Sequence, residues 1–318
     1  MIISALQYDF YLRLGRQALG VALKTLGRGD LGILLPEFIC RDVPETCRRM
    51  GFAIRWYRVN ARLQAVGLSQ MPACRAVLAV HYFGFQQDLR PFQKYCEKTG
   101  AVLIEDAAHG YLSTDPGGKQ LGTTGDFGIY SFRKILPIPD GAALVTKASW
   151  KKKIPALGEK TLSQNPGLAR LWTAKIAFAK RFPGLLVVAR RVWKPIKSVL
   201  VDSRAHHDPQ SPHPGLPETL RRLDQKQEIK RRQSAWKKLK RLGVRVGVRP
   251  VFSRLPKGVC PYGFAFRGTP RDRSLEHEAL RQGFSIIQWP DLPREIRNRK
   301  SHKDFRVGLV NFLLPPWK

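Results

Sequence analysis

Acidic residues are scarce in this chain of 318 residues: 24 Asp and Glu stand against 56 Lys and Arg, a formal net charge of +32. Such a balance points to an anionic partner (nucleic acid, an acidic membrane face or a phosphorylated substrate) or to a generally basic proteome. Cysteine is sparse and unpatterned. Cys40, Cys47, Cys74, Cys96 and Cys260 form no C-x-x-C pair and no metal-ligand spacing, so no metal centre is expected. Their odd number suits a reducing compartment. Long apolar runs are missing, and the stretch 185–189 is far too short to cross a bilayer. The first residues, MIISALQYDFYLRLG, carry an acid and lack the apolar core and cleavage site of a secretory leader. Helix-turn-helix, zinc-finger and RRM signatures are also absent, despite the basic run IKRRQSAWKKLKR at 229–241. The expectation is a cytoplasmic protein with no specific nucleic-acid partner.

What is present is enough apolar residue, 43%, to build a substantial core. The first half alternates short apolar runs with amphipathic ones. Helices are predicted at 15–26, 42–50 (with Asp42 as a cap) and 89–99. Strands are predicted at 32–35, 53–59, 76–80, 101–104, 127–132 and 142–146. Uninterrupted apolar strands alternating with helices imply an α/β fold with a mostly parallel sheet covered on both faces. Ligands of such sheets sit at the carboxyl ends of the strands, where His81 and Asp106 fall. After residue 150 the composition changes. Residues 151–200 hold twelve Lys and Arg and one acid, Glu159, and 202–217 form a Pro/His/Ser-rich connector. A basic helix is predicted at 218–242 and another helix at 274–282, among short strands. Three parts follow: a large α/β domain over 1–150, a basic amphipathic insertion with its connector over 151–217, and a small C-terminal α+β domain over 218–318.

Candidate chemistry lies in the first part. Asp106 ends the run AVLIED, and Lys134 follows a second strand in GIYSFRKILPIPDG, with Ser131 three residues before it. Gly15 and Arg16 open a helix, where a bound anion is favoured. Each is ambiguous alone; together they offer a carboxylate, an amine and an anion-binding start of a helix. The stretches VLAVHYFGFQQDL (77–89), VLIEDAAHGY (102–111) and GDFGIYSFRKILPIPDGAALV (125–145) resemble the DegT/StrS family of pyridoxal-phosphate-dependent sugar aminotransferases. Weaker similarity covers GRQAL (15–19), LLPEFIC (34–40), PYGFAF (261–266), GFSIIQWPDLP (283–293) and FLLPPW (312–317).

The resemblance implies a fold-type-I transferase and a homodimer. It implies amino transfer from glutamate to a nucleotide-linked ketosugar, in cell-envelope polysaccharide synthesis. Residue by residue, it makes Lys134 the lysine that carries pyridoxal 5′-phosphate and moves the proton. Asp106 would face the cofactor's ring nitrogen and His109 its 3-hydroxyl. Ser131, Gly15 and Arg16 would bind its phosphate, and His81 would lie beneath it. A hydrogen-bonded core histidine is an equal reading of His81. The chain departs from the family at several points. The spacing S-F-R-K is two shorter than S-F-x-x-x-K, Gly141-Ala142 replaces a glycine pair, Gly15-Arg16-Gln17 replaces S-G-T, and Cys40 stands where an aromatic residue is common. These bear mainly on substrate choice. The alternative is a catalytically degenerate member acting as a membrane- or nucleic-acid-associated scaffold, and a sugar dehydratase is disfavoured because Lys134 is retained. Aromatic residues among the charges of 151–200 suggest contact with an anionic membrane; a helix pair packed on the large domain is the competing reading.

Overall fold

Residues such as Ala76–Val80 are apolar in unbroken succession, and all five are buried. A strand can bury both its faces only in the middle of a covered sheet. The computed structural model describes residues 8–27, 29–136, 138, 140–154, 208–282, 284–297 and 307–312. In it these runs form an eight-stranded sheet. The strands are β1 (Phe10–Leu12), β2 (Ile33–Pro36), β3 (Ile54–Val59), β4 (Ala65–Val66), β5 (Ala76–Val80), β6 (Val102–Asp106), β7 (Phe127–Ser131) and β8 (Ala142–Thr146). Their spatial order is β1-β8-β7-β6-β5-β2-β3-β4. The five inner strands, β7-β6-β5-β2-β3, pair in parallel, and antiparallel pairings finish both edges. This is the mostly parallel α/β sheet expected from the sequence. Helix α1 (Gly15–Leu26) packs on β7 and β8, helix α2 (Asp42–Arg49) on α1 and β3, and helix α3 (Arg90–Thr99) on β5 and β6.

The register decides where the chemistry lands. Val80 pairs with Asp106, and Asp106 with Ile129. The carboxyl ends of three adjacent parallel strands therefore bring His81, Asp106 and Ser131 to one edge of the sheet.

A second sheet lies in the C-terminal part, in the order β11-β12-β10-β9 and antiparallel throughout. Its strands are β9 (Arg249–Pro250), β10 (Gly263–Arg267), β11 (Ser285–Trp289) and β12 (Val307–Asn311). The predicted helix 218–242 is two helices, Leu216–Arg222 and Gln225–Arg245. Asp224 separates them, because its carboxylate caps the second by accepting the Gln227 N–H at 2.9 Å. Asp42 is not the cap of α2. It sits inside the first turn, and its carboxylate takes the Arg16 guanidinium at 3.1 Å.

Arg232 on the long helix is fully buried. Its guanidinium donates to the carbonyls of Ile135, Pro261, Tyr262 and Phe312 and pairs with Glu228. One side chain thus ties the long helix to the second sheet and to the residue after Lys134. Among the described residues no disulfide forms, and no helix is long and apolar enough to cross a membrane. Most of the basic segment expected at an anionic membrane, from 155 onward, lies outside the described residues.

Candidate active site

The site is built on the loop after β5. Phe83 takes a left-handed backbone conformation with φ of 55°, sparsely populated for a bulky residue. Gly84 follows at φ 86°, and a Cβ there would overlap the Cys260 carbonyl oxygen, so only glycine fits. The close approach lets the second sheet's leading segment dock. Tyr262 N–H donates to the Phe83 carbonyl at 2.8 Å, Thr114 N–H to the Gly258 carbonyl at 2.9 Å, and Cys260 N–H to the Ser113 hydroxyl at 3.0 Å.

Docking places Tyr262 flat on His109, with ring centroids 4.2 Å apart and planes at 3°. Phe83 stacks on His109 at 5.7 Å, and Trp289 meets it edge-on at 5.4 Å. The Phe83 N–H donates to His109 Nδ1 at 3.3 Å, and Nε2 lies 3.3 Å from Lys134 Nζ. Burial, and then the Lys134 charge, hold the His109 pKa well below the usual histidine range. His109 is therefore neutral. Its Nδ1 accepts the Phe83 hydrogen bond, and its Nε2 faces the lysine amine.

Asp106 ends β6 half-buried, and one of its oxygens accepts the Ala108 N–H at 2.9 Å. Among the described residues neither Asp106 nor Lys134 has an ion-pair partner. Burial pushes the Cys40 thiol up to about 11, with the Lys134 charge lowering it and Asp42 and Asp106 raising it.

At the start of α1, Gly15 packs against Ser131: a Cβ on Gly15 would lie 3.6 Å from the Ser131 Cβ. Arg16 stands beside it, and Arg133 adjoins. The Arg133 Nε is buried without a hydrogen-bond partner among the described residues. Burial, and then the Arg16 charge, lower the Arg133 pKa. Two guanidiniums held near each other with a buried N–H unused call for an anion.

His81 is the exception among the expected site residues. It is fully buried; Nε2 bonds Glu105 Oε2 at 2.7 Å, and Nδ1 accepts the Gln87 N–H at 3.1 Å. Neither nitrogen is left for a ligand, which corrects its expected place in the cofactor site: it is a core histidine. Burial alone would raise the Glu105 pKa. The bond and charge of His81, with the N–H groups of Gly125 and Thr124, outweigh that and lower it.

The geometry invites comparison with known proteins. The family model for the DegT/DnrJ/EryC1/StrS aminotransferases matches residues 61–183. Over that stretch, less than half of its length, the chain is similar to this family. GDP-perosamine synthase of Vibrio cholerae is 34% identical over 143 residues, covering 42% of this chain and 38% of that protein. A Bacillus subtilis protein whose name includes pyridoxal phosphate-dependent aminotransferase is 40% identical over 74 residues, 23% of this chain and 19% of its own. The chain spans about two fifths of the length of the first curated relatives it matches. A crystal structure of a DegT/DnrJ/EryC1/StrS aminotransferase from Brucella abortus superposes with a TM-score of 0.63 at 16% identity, over 96% of this chain and 80% of that one. That likeness concerns the fold.

The sequence motifs did not reveal Arg133, Tyr262 or Trp289 as neighbours of the candidate site residues. Arg133 is visible only as the residue before Lys134. Tyr262 and Trp289 stand in PYGFAF and GFSIIQWPDLP, far along the chain from the residues they cover.

The His109 geometry carries a pH prediction. Below its ordinary pKa, about 6.5, the unfolded chain protonates this histidine while the folded chain does not. The stability contribution is present above about 6.5 and is lost as pH falls. His109→Phe keeps the stack and removes the titration. Its unfolding midpoint is expected to drop less than that of the parent between about pH 7 and about pH 5.5. An equal drop in both proteins would refute the burial of a neutral His109.

Proposed function

We propose that the chain is a pyridoxal-phosphate-dependent aminotransferase that transfers an amino group from glutamate to the keto group of a nucleotide-linked sugar. The observation that carries this is the placement of Asp106 and Lys134, without an ion pair among the described residues, at and just beyond the carboxyl ends of the adjacent parallel strands β6 and β7. The residues present fit the cofactor. Asp106 would hold its ring nitrogen, and Lys134 its aldehyde carbon. Ser131, the first N–H groups of α1, Arg16 and Arg133 would hold its phosphate. When bound, the cofactor supplies an electron sink for the carbon that loses its proton.

The protein's own groups do the rest. His109, itself held by the Phe83 N–H, would orient the Lys134 amine through the contact of its Nε2 with Nζ. Lys134 Nζ would take the proton from the amino-acid donor's α-carbon and, in the second half-reaction, give one to the sugar carbon. Tyr262, Phe83 and Trp289 keep water away from His109 and fix its plane. Nucleotide-sugar chemistry draws support from the names of relatives, including a UDP-N-acetyl-3-dehydro-α-D-glucosamine 3-aminotransferase of Acidithiobacillus ferrooxidans, 27% identical over 154 residues. Glutamate as donor, a homodimer, a cytoplasmic location with peripheral membrane contact through 151–200 and a role in envelope polysaccharide synthesis complete the proposal. Offering the purified protein glutamate with a panel of nucleotide ketosugars is expected to yield 2-oxoglutarate and one amino sugar. No bound cofactor and no 2-oxoglutarate with any sugar would refute it.

A further inference from the structure

The chain from 208 to 216 crosses the start of α1 and the turn that follows Lys134, and it is pinned to both. The Arg13 N–H donates to the Gln210 carbonyl at 2.8 Å, and the Arg13 guanidinium donates to the Gln210 side-chain oxygen at 2.8 Å. The Gln17 amide donates to the Asp208 carbonyl at 2.5 Å. The Asp140 carboxylate accepts the His213 N–H at 2.9 Å and meets the His213 ring at Nδ1 at 3.1 Å. Leu216 is fully buried against Gly141, where an added Cβ would come 3.0 Å from the Leu216 Cδ1.

Every one of these anchors is one step from the anion cradle formed by Gly15, Arg16, Ser131 and Arg133. Gln17 is fully buried, and its oxygen accepts the Leu14 N–H at 3.1 Å. Its two ends therefore join the strap to the first turn of α1, the turn that presents N–H groups to an anion. Asp140 spreads its two oxygens over Arg13, at 3.3 Å, and His213. The turn that holds Arg133 and Lys134 is stitched at the same place: Phe132 N–H donates to the Gly141 carbonyl at 2.9 Å, and Gly141 N–H donates to the Arg13 carbonyl at 2.9 Å. Arg133, with its buried Nε unmet, also feels Asp140: burial and then Arg16 lower its pKa, and Tyr262, Asp42 and Asp140 act the other way. A carboxylate near a cradle for anions repels its ligand. Its presence makes sense if it serves the cradle in another way, by holding the strap.

We propose that residues 208–216 are a positioning strap, and that through Asp140, Arg13 and Gln17 they hold the start of α1 and the Arg133 turn in the arrangement that binds a phosphate dianion. The inference rests on the reading of that cradle as a phosphate site. Gln17, Asp140, Gln210 and His213 act through other groups and are positioning residues. Linkage makes the effect reciprocal: whatever a bound anion gains from the closed strap, the strap gains from the anion.

The test pairs calorimetry with inorganic phosphate on the full chain with hydrogen exchange across 208–216, read by mass spectrometry. Arg133→Gln is expected to remove the phosphate signal and reports on the cradle alone. The double variant Gln210→Ala, His213→Ala leaves every cradle residue in place. It is expected to speed exchange across 208–216 and to weaken phosphate binding by about fivefold or more. Asp140→Asn keeps the size and removes the charge. Positioning predicts weaker phosphate binding in it, whereas a carboxylate that only repels the anion predicts tighter binding. In the parent, which needs no substitution to fold, saturating phosphate is expected to slow exchange across 208–216, and in Arg133→Gln to leave it unchanged. Absent phosphate binding in the parent, or binding that Arg133→Gln does not reduce, would refute the cradle and the strap with it. With the cradle upheld, three results each overturn the strap alone: double-variant affinity within about twofold of the parent, tighter binding in Asp140→Asn, or strap exchange indifferent to phosphate.

Discussion

Lys134→Ala is expected to fold like the parent, to lose the visible absorbance of covalently held pyridoxal phosphate, and to lose turnover by on the order of 10⁴-fold. The fold should survive because the side chain is half-buried, has no ion pair among the described residues, and meets His109 only through a 3.3 Å contact. Truncating such a group costs little packing. The chemistry should not survive, because the amine proposed to hold the aldehyde and carry the proton is gone. Lys134→Arg sharpens the test. It keeps the positive charge, but a guanidinium stays protonated and cannot serve as the nucleophile. Absorbance and turnover should vanish in both variants while the unfolding midpoints stay put. Turnover retained in either would overturn the assignment of Lys134, and with it the mechanism.

The second large effect is structural. Arg232→Met should cost about 3–5 kcal/mol of stability, read by urea denaturation. The substitution leaves an apolar chain of similar length where a buried guanidinium met four backbone carbonyls and Glu228. Those carbonyls come from three places: Ile135 beside Lys134, Pro261 and Tyr262 at the start of β10, and Phe312 after β12. None has water to turn to, and an unmet buried acceptor costs free energy. Burial raises the Glu228 pKa, and its arginine partners Arg231 and Arg232 outweigh that; Arg231 remains in the variant, which limits the penalty on the acid. Arg232→Lys should recover only part of the loss, because a single ammonium cannot fork to reach all these partners. A loss below about 1 kcal/mol for Arg232→Met would mean that the carbonyls find other donors.

The outline of the large sheet was legible in the sequence because its signal is local. Ala76–Val80 and Ala142–Thr146 form strands at their predicted bounds, and α1 runs over 15–26 as its periodicity requires. The strand-end positions of Asp106 and Ser131 were legible because a parallel strand delivers its last residue to one edge of the sheet. His81 follows a strand in the same way, yet it is a core residue. Nothing in its local sequence says that Glu105 on the next strand faces it and uses its second nitrogen. The break at Asp224 was hidden because basic residues continue helical spacing across it.

By itself, then, the sequence determined the alternation of strands and helices, the parallel core and the strand-end carboxylate with its nearby lysine. These follow from hydrophobic period and chain order. Only the tertiary structure decided that Tyr262 covers His109, that His109 faces Lys134, that Arg133 carries an unmet N–H, and that five cations and two phenylalanines share one cavity. Each of these depends on segments about 100 or more residues apart being folded together, or on which way a buried polar group finds its partner. Pairwise contacts of that kind leave no periodic trace in a single chain, because they are set by the docking of one sheet against another and not by neighbours in sequence.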